Sequence, residues 1–244
     1  MKKKLWILFV IFMIFALNLT ACSPKSELSV EAYAISAMDW EGENLIFEPL
    51  EGTREAILAK HEVERSRLAF TFTSPVTSGS DMINAVERYT GSHVTVEVTR
   101  NDLLVMTVDA GVISPINNFR GLWVVGEQWF LEVAHVEEDP VDPNAAFIIR
   151  GEVFQDGESL NEKHGYDEAF NFQILDGKPF FFFDKDGEVG FSYDGRDTIL
   201  GYTEIPHYLC CSASAFNPQA AEKMVAFFAA KGTQNYYVEI GAFN

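Results

Sequence analysis

Three Asp-Gly pairs, Asp176-Gly177, Asp186-Gly187 and Asp194-Gly195, punctuate residues 170–202 at intervals of eight to ten residues. Asp-Gly suits the two positive-φ positions of a tight hairpin turn, so segments separated by it are adjacent antiparallel strands. Residues 170–175, 180–183 and 189–193 are therefore predicted strands of a meander, with a last short strand ending near Tyr202. Phe180, Phe181, Phe182 and Phe183 put large apolar groups on both faces of one strand. That strand must be central and covered on each side, because exposed it would be an aggregation hazard.

The upstream half carries the same signal in a different form. Val94, Val96 and Val98 alternate with Thr95, Glu97 and Thr99; turn residues 100–102 follow and residues 103–108 return, which predicts a hairpin with one buried face. Further strands are expected at 68–73, 121–125, 128–136 and 146–154, the last two separated by an acidic, proline-containing loop that no sheet would absorb. Three segments read as helical. Residues 53–67 are charged with a thin apolar stripe; Ser80 caps a short helix bearing Met82, Val86 and Tyr89 and stopped by Gly91; and Asn217-Pro218 opens a C-terminal helix ending at Gly232, followed by a closing strand at 236–240. The expected fold is β-rich α+β: an antiparallel meander arranged as a sandwich or partial propeller, with a C-terminal helix and closing strand.

The N-terminus has a separate logic. Lys2, Lys3 and Lys4 precede an uncharged run from Leu5 to Leu17, and the tetrad Leu19-Thr20-Ala21-Cys22 follows. A basic region, a short apolar core and a small-residue cleavage site make a secretory signal, too short for a permanent bilayer span. The tetrad resembles the lipobox of bacterial lipoproteins. That resemblance implies that residues 1–21 are removed and that Cys22 carries a covalent lipid, with two acyl chains needed for stable anchoring. Residues 22–34 then read as a polar tether and 35–244 as a single extracytoplasmic domain. Ser23 follows the cysteine, where an Asp would direct retention at the inner membrane, so the expected address is the outer membrane where the organism has one. The stretches GLWVVGEQWFLEVAHV, NEKHGYDEAFNFQIL and GKPFFFFDKDGEVGFSYDGRDTILGYTEIPHYLCC resemble a group of uncharacterised bacterial proteins. No activity, cofactor or catalytic residue comes with that likeness.

Charge narrows the partners. Without the three leader lysines, 15 basic residues face all 36 acidic ones, a formal net charge of −21. Such a surface repels phosphate backbones, which excludes nucleic acid as an expected partner and leaves an envelope protein or a glycan.

The sequence offers few chemical motifs. His61-Glu62 begins like a zinc-protease helix, but no second His stands at the required spacing, and phosphate loops, dinucleotide fingerprints and nucleophile elbows are missing. Asp184, Asp186 and Glu188 fail the calcium-loop pattern and read as a hairpin turn. His207, Cys210 and Cys211 are the best candidate centre: an imidazole and two thiols suit a soft metal, and the adjacent cysteines alternatively form a reducible disulfide or stay as buried thiols. Trp123, Trp129, Tyr193, Tyr202 and Tyr208 are candidates for an exposed aromatic platform for a glycan or peptide. No cofactor beyond the Cys22 lipid is expected. The leading expectation is a non-catalytic binding module; the alternatives are a redox or metal-handling protein built on Cys210 and Cys211, and a cell-envelope hydrolase.

Overall fold

A computed structural model describes residues 28–41, 44–69, 76–140, 147–208 and 217–243, and contains seventeen strands and three short helices. The expected leader, Cys22, Cys210 and Cys211 lie outside the described residues, as does most of the strand expected at 68–73. No described helix is long and apolar enough to cross a membrane. The chain is β-rich, with strands pairing antiparallel apart from one parallel bridge between Gly111 and Val136.

Three sheets share the body. The first joins both ends of the described chain: β1 (Ser29–Glu41) lies between β2 (Asn44–Pro49) and β17 (Gln234–Gly241), and β17 continues to β16 (Met224–Lys231) and β15 (Gln219–Ala221). The second has eight strands, β3 (Val76–Ser78), β4 (Asp81–Thr90), β5 (His93–Arg100), β6 (Leu103–Val112), β7 (Phe119–Val125), β8 (Gln128–Glu137), β9 (Ile148–Gln155) and β10 (Glu158–Ser159). It curls so that β7 meets β3 and β4, where the Phe119 N–H donates to Glu87 at 2.6 Å. The third sheet is the expected meander, β11 (Glu168–Leu175), β12 (Lys178–Lys185), β13 (Glu188–Tyr193) and β14 (Arg196–Tyr202). Its turns hold Asp176, Asp186, Asp194 and the glycine after each at positive φ, the geometry for which Asp-Gly is chosen.

The four phenylalanines of β12 occupy the middle of the molecule. Phe180 and Phe182 enter a core shared with Val225, Phe227 and Val238 of the first sheet, while Phe181 and Phe183 enter one shared with Trp123 and Phe130 of the second. Each buried ring contributes about 2–3 kcal/mol of transfer free energy, so this strand joins the other two sheets.

Three local expectations are corrected. Residues 217–232 form β15 and β16, not a helix. Met224, Ala226 and Phe228 enter one core cluster while Val225, Phe227 and Ala229 enter another, so the apolar run alternates between two buried faces with period two. A short run apolar at every position looks the same as a buried helix until both faces are seen to be covered. Residues 81–90 are likewise strand β4: Ile83 and Ala85 are its buried residues, whereas Met82 and Tyr89, two members of the supposed helical face, are more than half exposed. Residues 29–34, expected to belong to a polar tether, are instead strand and pair with β17, Ser29 opposite Gly241 and Ala34 opposite Tyr236. The region 53–67 is helical as expected, split into α1 (Arg54–Ala59), capped by the Thr53 hydroxyl, and α2 (Glu62–Arg65).

Candidate functional site

The strand β8 reads Gln-Trp-Phe-Leu-Glu-Val-Ala-His-Val-Glu and buries both faces. Leu131 and Val133 point into the curled second sheet, and Phe130 and Ala134 face the other way toward the remaining sheets. Glu132 shares the second face, a carboxylate only 3% exposed. The neighbouring strand explains how it is accommodated. Pairing of β11 with β12 slips between Phe170 and Gln173, with Asn171 at φ 53°, a backbone region Asn tolerates better than most residues. This bulge frees two N–H groups, and Glu132 accepts both, from Asn171 at 3.0 Å and Phe172 at 2.6 Å; the Tyr208 hydroxyl donates to it as well. Burial and then the adjacent Glu132 charge hold the Tyr208 phenol well above its ordinary pKa, so it remains a donor.

Beside it, His207 stacks on Phe170 with ring centroids 3.6 Å apart. Its Nδ1 lies 2.6 Å from the Ile205 carbonyl and its Nε2 lies 3.0 Å from Glu168, which also accepts from the Gly151 N–H at 2.6 Å. Both ring nitrogens are therefore engaged by oxygen atoms, and ligation of a metal by His207 would have to displace one of them. Gly151 is required at this seam: a Cβ there would stand 2.4 Å from the Ala169 carbonyl oxygen and 2.7 Å from the Tyr208 hydroxyl. The cavity among Arg120, Glu132, Asn171, His207 and Tyr208 measures about 20 Å³, too small for an organic ligand. This polar junction fastens the second sheet to the third.

The larger concavity opens where β8, β9 and the loop after α3 (Leu160–His164) meet. It measures about 520 Å³, and its charged and titratable lining comprises His135, Glu137, Arg150, Glu152, Glu162, Tyr166 and Asp167. His135 Nε2 lies 2.7 Å from Glu152. Burial alone would lower the His135 pKa, but the Glu152 carboxylate outweighs it and holds the imidazole above its ordinary value; burial would raise Glu152, and His135 and Ser159 instead bring it below its own. Ser159 donates to Glu152 and accepts from the Glu162 N–H at 3.2 Å as the cap of α3, so its hydroxyl is not bonded to the imidazole. Four carboxylates thus line the cleft against one guanidinium. Asp184 lies close by, its pKa raised by burial and then by the charges of Asp167 and Glu168.

The five aromatic residues expected to form a platform are instead core. Trp123, Trp129, Tyr193, Tyr202 and Tyr208 are each at most 8% exposed and divide among three separate clusters, so they present no common surface. Their ring area is worth more against other apolar groups than against water. The expected turn at Asp184, Asp186 and Glu188 is present as the β12–β13 hairpin.

Sequence reading passed over His135, Glu152 and Glu132. A signal existed for the last: a single Glu inside an apolar strand, which water cannot reach if both neighbouring faces are buried. No protein-family model matches the chain, and no curated protein matches it significantly.

Proposed function

We propose that this protein is a lipid-anchored module outside the cytoplasm that binds a small cationic ligand in the acidic cleft without transforming it. The observation that carries this reading is the cleft of about 520 Å³ lined by the four carboxylates of Glu137, Glu152, Glu162 and Asp167 against Arg150 and the Glu152-bonded imidazole of His135. Its volume falls within the range of about 300–1,000 Å³ usual for small-molecule sites. A concave surface of one sign concentrates counter-charged ligands. The Ser159 hydroxyl caps a helix and bonds a carboxylate, so the cleft lacks a serine–histidine contact for nucleophilic attack. The lysine-rich leader and Cys22 support the placement, with the lipid holding the domain at the membrane it serves.

Calorimetric titration of the purified full-length protein with spermidine, as a cationic probe, tests the reading. One saturable site is expected at physiological ionic strength, with citrate silent. Glu137 and Glu162 are exposed, so Glu137→Gln with Glu162→Gln should leave the fold intact and weaken binding about tenfold. An absence of binding, or equal binding to the double variant, would sink it.

A further inference from the structure

A second constellation lies in the first sheet. The register of β1 and β17 sets Glu31 directly opposite Glu239, an arrangement of like charges that is unfavourable unless something positive joins them. His61, in the turn between α1 and α2, is held over the pair at φ 50° and stacks on Phe243 with ring centroids 3.6 Å apart. One carboxylate oxygen from each Glu and one ring nitrogen of His61 lie within 4.8 Å of one another.

The cations already present leave one oxygen of each carboxylate unclaimed by a cation. On Glu31, Lys60 bonds Oε2 at 3.1 Å and the Tyr33 hydroxyl donates to that same atom, while Oε1 faces His61 Nε2 at 3.4 Å. On Glu239, which is 0% exposed, Arg65 reaches Oε1 through both Nε and Nη2, and the Tyr237 hydroxyl donates to the same oxygen at 2.6 Å. A guanidinium beside a carboxylate ordinarily takes both oxygens in a fork. Here Glu239 Oε2 is buried with no hydrogen-bond partner, a condition costly enough to require an explanation. The 3.4 Å between Glu31 Oε1 and His61 Nε2 equals the separation of about 3.4 Å between two ligands each about 2.1 Å from a tetrahedral zinc ion.

We propose that Glu31, His61 and Glu239 form a binding site for a divalent transition metal ion of the zinc or manganese class, which pins the α1–α2 segment to strands β1 and β17. Imidazole with carboxylate suits such ions, whereas calcium and magnesium favour oxygen donors. Tyr33, Lys60, Arg65 and Tyr237 orient the two carboxylates from behind, the part that outer partners play at protein metal sites. The site uses none of the cleft residues and stands whether or not the cleft binds a cation.

The test uses the full-length protein with Cys210→Ser and Cys211→Ser, so that this thiol pair cannot supply the binding, titrated with zinc chloride and then manganese chloride by calorimetry and weighed by native mass spectrometry. One zinc ion per chain is expected, with a rise in Tm. His61→Phe keeps a ring against Phe243 but removes the nitrogen, and should weaken zinc binding by at least about 100-fold. Glu31→Gln, on a partly exposed side chain, should give a comparable loss and serves if the first variant fails to fold. No zinc on the protein with Cys210→Ser and Cys211→Ser, or undiminished binding by the folded His61 or Glu31 variant, would overturn the proposal.

Discussion

Glu132 and Glu239 are two buried glutamates placed alike and supplied differently. Each sits within an apolar strand, each accepts from a tyrosine hydroxyl, and each has an arginine close by: Arg120 over the Tyr208 ring at 4.9 Å, Arg65 bonded directly to Glu239. Glu132 receives donors on both oxygens, two of them backbone N–H groups from the β11 bulge. Glu239 receives all its donors on one oxygen, all from side chains. Backbone donors fixed by a bulge cannot swing away, so Glu132 acts as a strut between sheets. Side-chain donors crowded on Oε1 leave Glu239 satisfied as a charge and incomplete as a ligand.

The largest effect should come from breaking the strut. Glu132→Leu strands two backbone N–H groups and the Tyr208 hydroxyl in the interior, and is expected to cost about 4 kcal/mol in chemical denaturation. A loss under about 1 kcal/mol would mean that the β11 bulge finds other partners and that the contrast with Glu239 is false. A smaller, sharper comparison removes one hydroxyl from each side. Tyr208→Phe and Tyr237→Phe should each cost about 1–2 kcal/mol without metal, but only Tyr237→Phe should also weaken zinc binding, because only Tyr237 orients a proposed ligand.

The smallest effect is a pH dependence. The Tyr33 hydroxyl bonded to Glu31, aided by Lys60 and His61, outweighs burial and lowers the Glu31 pKa from 4.5 to about 2. A depressed carboxylate stabilises the fold above its unfolded pKa, so this contribution is complete above about pH 4.5 and fades as pH falls toward 2. Denaturation midpoints between pH 5 and pH 2 should therefore fall less steeply for Glu31→Gln than for the parent. Parallel slopes would remove Glu31 from the charged cluster.

Much of the fold was legible in the chain and little of the site was. The Asp-Gly turns and the phenylalanine run specified a meander with a central, doubly covered strand, because turn chemistry and the two-residue period act locally. The segment from Met224 to Ala229 misled because a run apolar at every position carries no period; only the two separate clusters that it fills make it a strand. The aromatic residues misled similarly, since a sequence states how much ring area a chain has and not which side of a sheet it faces.

The sites depend on distance in the chain. His135 and Glu152 meet across a strand pair, Glu132 meets a bulge 39 residues downstream, and Glu31 meets Glu239 through the pairing of the first and last strands. The sequence by itself determined the acidic composition, and it determined the turns and the apolar strands, which are set by residues close together. Tertiary structure alone decided which carboxylates are buried, which of their oxygens are satisfied and where four acids line one cleft, because desolvation and hydrogen bonding depend on neighbours that only folding brings into contact.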